Sequence, residues 1–230
     1  MSTNERHLLL ASQSPRRREL LALLGLPFDA TVPDVVEIPQ PDELPTALVA
    51  RLSQAKARVT GERNQVFHKK PGLKPPIIVA CDTIVTLDGE LMGKPRDATE
   101  ATAMLRRLRE QHQHIVYSAI TLLEPTTGRS LTDMAETRVT MRPYTDDEIA
   151  AYVASSDPLD KAGAYAIQHP EFCPVAKLQG CYTNVMGLPL CHLTRCLNAW
   201  GIKPPRDIPA ACQLSTGHTC TVYVDILNDK

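Results

Sequence analysis

The sequence predicts an α/β protein with a mixed, twisted sheet flanked by helices. Three observations carry that expectation. A short apolar run, "HLLLAS", passes directly into a helix start, "SPRRRELLALLG". A second run, "IIVACD", is continuously apolar until it stops at an acid. Beyond it, strand-like and helix-like segments alternate through both crossovers and tight turns, which calls for a mixed sheet.

Taken in order, "LLLAS" reads as a buried strand. The helix after it has Ser14 as N-cap, Pro15 at the first helical position, and Leu20, Leu21 and Leu24 at helical spacing, with Gly25 where a C-terminal cap belongs. "LPTALVARLSQAKARVTGE" is a second helix, with Leu48, Leu52, Ala55 and Val59 along one stripe. "RNQVFHKKPGLKPP" is a Pro/Lys-rich loop. After "IIVACD", "TIVTLDGELMG" forms a hairpin about Asp88-Gly89. "DATEATAMLRRLREQ" is a helix with a capping-box pattern at Asp97 and Glu100 and an apolar face of Ala101, Met104, Leu105 and Leu108. "HIVYSAITLLE" and "SLTDMAETRVTMRP" are strands joined by a Thr-Gly turn. "YTDDEIAAYVASS" is a helix, "LDKAGAYAIQ" is rich in small residues, and "GLPLCHLTRCLNAWG" is a last helix. In the tail, "TCTVYVDI" alternates in the manner of an edge strand.

A chain of 230 residues suits one domain or two small lobes, and 43% hydrophobic residues can bury a substantial core. A net charge of −1 provides no global basic field for nucleic acid or an anionic membrane, so neither is an expected partner. No apolar stretch approaches the about 20 residues of a membrane span, and the amino terminus has too short an apolar run for a signal peptide; a cytoplasmic protein is expected. The seven cysteines include no CxxC pair. The spacing of Cys191, His192, Cys196, Cys212, His218 and Cys220 matches no zinc pattern.

The first helix breaks a local rule. Its opening turn carries the positive end of the helix dipole, which favours acids, yet it holds Arg16, Arg17 and Arg18. A strand running into a helix start offers free N–H groups to an anion. With Ser12, Ser14 and guanidinium groups added, it becomes a phosphate site. The alternative is a solvated basic face paired with acids such as Glu19. Asp82, where a buried apolar run ends, occupies a position where α/β proteins place metal ligands and catalytic groups; Thr83 follows it. Pro95 keeps Lys94 extended. Glu37 lies in a Pro-rich loop, Lys56 lies on the second helix beside Leu52, and Gln168 ends the small-residue segment.

The ordered motifs LASxSPRR, an acid before a Pro-rich stretch, RLxxxKA, a strand ending in DTIV, GKPRD, PLDKAGAYxIQ and GLPL run from Leu10 to Leu190. In this order they resemble the Maf family. The resemblance implies two lobes around a central cleft, similar to the inosine triphosphatase-like fold, over residues 1–202, with residues 203–230 a C-terminal extension. It implies a nucleoside triphosphate pyrophosphatase that cuts between the α- and β-phosphates with a divalent metal, Mg²⁺ or Mn²⁺, and commonly forms a homodimer. Asp82 is then the proton acceptor, and Arg16, Thr83 and Gln168 set specificity. Ser12, Glu37, Lys56 and Lys94 occupy the family's remaining site positions. Arg17 and Lys94 would stabilise the leaving pyrophosphate, with Glu37 and Asp82 the metal ligands.

Within the family, the branch acting on dTTP and UTP carries SPRR, DT and IQ, as this chain does; a sister branch acting on 7-methyl-GTP differs at all three points. Modified pyrimidine nucleotides are a further substrate class. The alternative function is a nucleotide-binding regulator of septum formation that does not turn over. The chain departs from the family where Val36 precedes Glu37 in place of a second acid, where His169-Pro170 follows Gln168, and in its tail.

Overall fold

The computed structural model describes residues 6–63 and 75–229. Most of the Pro/Lys-rich loop expected between the second helix and "IIVACD" lies outside them. The chain begins with β1 (Leu8–Ala11), α1 (Pro15–Ala22), β2 (Phe28–Thr31) and α2 (Pro45–Arg63). It continues through β3 (Ile77–Leu87), β4 (Glu90–Met92), α3 (Ala98–Gln111), β5 (Gln113–Leu123) and β6 (Ser130–Met141). Then come α4 (Asp146–Ala154), two short 3₁₀ turns at Asp157–Asp160 and Ala162–Ala164, β7 (Val175–Gln179), α5 (Tyr182–Met186), α6 (Leu190–Ala199), α7 (Ile208–Thr216) and α8 (Tyr223–Asn228).

Among the described residues the strands form one mixed sheet in the order β2-β1-β3-β5-β6-β7, with β4 also on β3. β1 runs parallel to β2 and β3, as strand–helix–strand crossovers require. The remaining neighbours are antiparallel, β3–β4 and β5–β6 as hairpins and β3–β5 and β6–β7 across intervening helices. The turn at Asp88-Gly89 has φ of 51° and 83°, the left-handed pair that a two-residue hairpin needs.

β3 does not stop at Asp82. It pairs with β5 without a break from Ile78 to Thr86, so Asp82 is a mid-strand residue. What ends near Asp82 is the neighbour on the other side. β1 gives out opposite Ala80, and the pairing of β3 with β4 starts only at Val85. The edge of β3 is therefore open between these two pairings.

That opening separates two lobes. On one side, Leu8 and Leu10 of β1, Ile77, Val79 and Cys81 of β3, and Ile120 and Leu122 of β5 pack against α1, α6 and α7. α2 covers the opposite face through Leu9, Ala11, Ala57, Ile78 and Ala80. On the other side of the opening, Val85 and Leu87 of β3 and Val116 of β5 pack with α3, α4, Tyr165 and Phe172. The two long strands thus pass through both cores.

Several details differ from the periodicity reading. The buried stripe of α2 is Leu48, Val49, Leu52, Ser53, Lys56, Ala57 and Thr60, while Ala55 and Val59 are only half-buried. The reason is polar: Ser53 reaches Thr121 Oγ1 (2.8 Å) and Lys56 reaches Asp82, so these side chains turn inward. β2 and β7 are largely exposed edge strands without apolar alternation, which hid them from the sequence. At α3, Asp97 caps Glu100 N (2.8 Å), but the Glu100 carboxylate turns to Arg96 N (2.7 Å) and leaves the reciprocal half of the box unmade.

α6 is not the last helix, and "TCTVYVDI" is not a strand: it bends into α8. Ile208 and Cys212 of α7 join the first core. Arg195 of α6 holds α8 through Ile226 O (3.0 Å) and Asp229 (2.9 Å) while binding Asp133 of β6 (2.8 Å). The tail is thus packed onto the lobe, with Thr219 to Val222 leading into α8.

All seven cysteines are free thiols. Cys181, Cys191, Cys212 and Cys220 lie within electrostatic reach of one another, and burial, helped by this proximity, pushes the Cys191 thiol up to about 12 and Cys212 to about 11. Among the described residues no group of three His, Cys, Asp or Glu side chains is placed to hold a metal ion.

Candidate active site

The opening in the sheet is the mouth of a cleft of about 210 Å³. The end of β1 and the start of α1 supply Ser12, Ser14, Arg16 and Arg17 to its wall. β3 supplies Asp82 and Thr83, α2 supplies Lys56, and loops supply Glu37 and Lys94. Residues far apart in the chain meet here because β1 and β3 are adjacent and α2 lies across both. Every candidate named from the sequence lines this cleft except Gln168, whose buried Oε1 has no hydrogen-bond partner among the described residues.

At the start of α1, Ser14 accepts from Arg17 N (3.4 Å), and Ser12 Oγ accepts from Ser14 N (3.1 Å). No acid lies in the first turn. Arg16 and Arg17 turn into the cleft; Arg18 stays exposed on the surface. Arg16 is 3.6 Å from the mostly exposed Asp160. Arg17 is held more firmly: Nε donates to Gly187 O (2.8 Å), Nη2 to Thr83 Oγ1 (3.0 Å), and Nη1 reaches Ser12 Oγ (3.5 Å). A guanidinium has five N–H donors. One on each terminal nitrogen therefore remains, a fork suited to two phosphate oxygens.

Opposite Arg17 lies a carboxylate pair. Lys56, only 6% exposed, binds both Asp82 Oδ1 and Glu37 Oε1 (2.6 Å). Partial burial pushes the Glu37 carboxyl up, but the Lys56 hydrogen bond and the charges of Lys56, Lys94 and Arg17 outweigh it and hold Glu37 below the ordinary carboxylate range. Asp82 is 5% exposed, and a carboxylate buried that deeply needs the ammonium beside it. Lys94 stands exposed at the rim.

Sequence reasoning missed four contributors. Lys161 lines the cleft and is itself tied to Asp157 (2.7 Å) and Asp160 (2.6 Å). Asp160 thereby touches both Lys161 and Arg16. Tyr165 lines the cleft while bonded to the buried His114 (2.7 Å), whose imidazole burial pushes down to about 4. Gly187 caps α5 at a φ of +108°, which lets its carbonyl face Arg17. Asp160, Lys161, Tyr165 and Gly187 lie in the motifs "DKAGAY" and "GLPL", in which the sequence reading assigned no site residue.

This fold and cleft define an α/β protein with a cationic site for a polyanionic ligand, set where a sheet strand loses its neighbour. Comparison with known proteins gives the family. Residues 7–200 match the family described as Maf-like protein, and the chain belongs to the Maf family. It is 44% identical over 193 residues to the dTTP/UTP pyrophosphatase of Salinibacter ruber, covering 84% of this chain and 90% of that one. It is 41% identical over 212 residues to the protein of the same name from Thermomicrobium roseum, covering 90% and 91%. The protein of that name from Syntrophotalea carbinolica is 41% identical over 194 residues, covering 84% of each chain.

Among solved structures, the chain aligns with a dITP/XTP pyrophosphatase from Mycobacterium abscessus at 20% identity and a TM-score of 0.36, covering 60% and 75%. It aligns with a HAM1 protein from Coxiella burnetii at 16% and 0.41, covering 71% and 88%. Both scores fall below the level at which a shared fold follows. No helix among the described residues is long and apolar enough to cross a membrane.

Proposed function

We propose that the chain hydrolyses dTTP and UTP between the α- and β-phosphates, releasing the nucleoside monophosphate and pyrophosphate. One observation carries the reading: a cleft in which Arg16, Arg17, Lys56 and Lys94 surround Asp82 and Glu37, in a chain whose relatives bear that activity in their names. With Lys161 and Asp160 included, five cations against three carboxylates suit a ligand carrying several negative charges.

Each group has a role that its placement supports. Arg17 presents its two free N–H groups to the phosphate chain, already oriented, so that little reorganisation is needed as charge builds on the leaving pyrophosphate. Lys94 adds a second cation from the rim. The start of α1 adds the dipole's positive end. Asp82 accepts the proton of the attacking water, and Lys56 keeps its carboxylate oriented.

The donor set also fits a hard divalent cation. Lys56 Nζ holds one oxygen each of Glu37 and Asp82 and so brings the two carboxylates side by side, and two carboxylates completed by phosphate oxygens and water are what Mg²⁺ or Mn²⁺ takes. Glu37 and Asp82 would hold the ion. When bound, such an ion neutralises phosphate charge and makes a bound water more acidic.

The test is product analysis. Incubation of the protein with dTTP or UTP and Mg²⁺ or Mn²⁺ should yield dTMP or UMP and pyrophosphate in equal amounts. A nucleoside diphosphate with inorganic phosphate, or no turnover with either ion, overturns the reading.

A further inference from the structure

Ser118 lies in the middle of β5, directly across the ladder from Thr83. It is fully buried and outside the cleft lining, yet it is hydrogen-bonded to the machinery. Thr83 Oγ1 accepts an N–H from Arg17 at 3.0 Å. Thr83 Oγ1 and Ser118 Oγ share a hydrogen bond of 2.8 Å, the usual length for two hydroxyls. Each hydroxyl also has a carbonyl within reach of its proton, Gly187 O at 3.4 Å from Thr83 and Asn184 O at 3.4 Å from Ser118. Asn184 is anchored in turn: its Nδ2 donates to Val116 O (3.0 Å) and to Thr137 Oγ1 (2.9 Å). The hydroxyls thus form a connected chain from Arg17 through Thr83 and Ser118 to a residue fixed on β5 and β6.

We propose that Ser118 is a positioning residue for Arg17: its hydrogen bond to the Thr83 hydroxyl fixes that hydroxyl with an oxygen lone pair toward the guanidinium and so aims the two remaining N–H groups at phosphate. The proposal rests on the reading of the cleft as a triphosphate site. It also gives Thr83 a role other than contact with a base, because its hydroxyl is already engaged by Arg17 and Ser118.

A buried serine that merely stabilises the sheet would behave differently in a double-mutant cycle. The cycle uses wild type, Ser118→Ala, Arg17→Lys and the double variant. Two quantities are measured: the affinity for inorganic pyrophosphate by calorimetry, and kcat and KM for pyrophosphate release from dTTP. Thermal unfolding is followed alongside. With Arg17 present, Ser118→Ala should weaken pyrophosphate binding and lower kcat/KM about three- to tenfold. With Lys at position 17, the same change should alter either quantity less than about twofold. Thr83→Val should reproduce the loss and Thr83→Ser should restore most of it. If Ser118→Ala does not fold, Thr83→Val in the two backgrounds takes its place.

Equal losses in both backgrounds, or no loss with Arg17 present, overturn the proposal. So does a wild type that does not bind pyrophosphate. A wild type that binds pyrophosphate with the expected coupling but releases none from dTTP or UTP overturns the substrate reading and leaves the positioning role standing.

Discussion

Helices α1 and α4 begin in opposite ways. At α4, Thr145 Oγ1 accepts from Glu148 N (3.2 Å), the Glu148 carboxylate accepts from Thr145 N (2.6 Å), and Asp146, Asp147 and Glu148 fill the first turn. Donors and dipole are answered within the helix. At α1, Ser14 makes one long cap bond, no acid follows, and two arginines point away from the helix into a cleft. A helix start that satisfies itself serves the fold; one that leaves its positive end unanswered and adds cations is built for an anion from outside.

The largest break in this contrast should come at Asp82, across the cleft from α1. Asp82→Asn should lower kcat for dTTP by about 10²–10⁴-fold, because an amide cannot accept the water's proton. Calorimetry should show pyrophosphate still bound. Turnover at the wild-type rate would remove Asp82 from the role of base.

Next is Arg17→Lys. An ammonium cannot bond Gly187 O, Thr83 and two phosphate oxygens in one plane. We expect kcat/KM for dTTP and UTP to fall about 10- to 100-fold, with the unfolding midpoint little changed. A large loss of thermal stability with modest kinetic loss would make the α1 start structural, as α4 is.

Thr145→Ala tests the other helix. Loss of the cap should cost about 1 kcal/mol and lower Tm by about 2–4 °C, with kcat and KM unchanged. An effect on turnover would show that α4 is coupled to the cleft.

The smallest effect is pH-dependent. Arg142 and the Thr145 backbone hold the Glu148 carboxyl down at about 2, below its ordinary 4.5. A carboxyl depressed in the folded state stabilises above its unfolded pKa, and that contribution fades as pH falls from about 4.5 to about 2. Glu148→Gln should therefore melt below wild type at pH 6, and the gap should narrow through that window. A constant gap would assign the difference to something other than this ionisation.

Much of the cleft was legible. Ser12, Ser14, Arg16, Arg17 and Lys94 sit in short motifs where a strand end, a helix start or a proline determines the backbone, Asp82 and Thr83 follow a continuous apolar run, and all line the cleft. Gln168 was expected beside them and is not in the lining, because the 3₁₀ turns at Asp157–Asp160 and Ala162–Ala164 bring Lys161, Ala162 and Tyr165 to the cleft instead. Lys56 was legible as a residue, but its company was not: the apolar stripe expected on α2 contained no reason for a lysine to be buried. Asp82 and Glu37 provide that reason from elsewhere in the chain.

The sequence by itself determined what depends on near neighbours: the caps at Ser14, Asp97 and Thr145, the Asp88-Gly89 turn, the apolar faces of α1 and α3, and the family motifs. These follow from backbone sterics and periodicity over a few residues. Only the tertiary structure decided that β3 continues past Asp82 and that β1 ends beside it, opening the cleft. It alone decided that the tail forms helices held by Arg195, and that Arg17 is held by a carbonyl 170 residues away. Those outcomes depend on which surfaces meet once the chain is folded. Contact between distant segments is set by burial and hydrogen-bond satisfaction in three dimensions, and no local pattern records it.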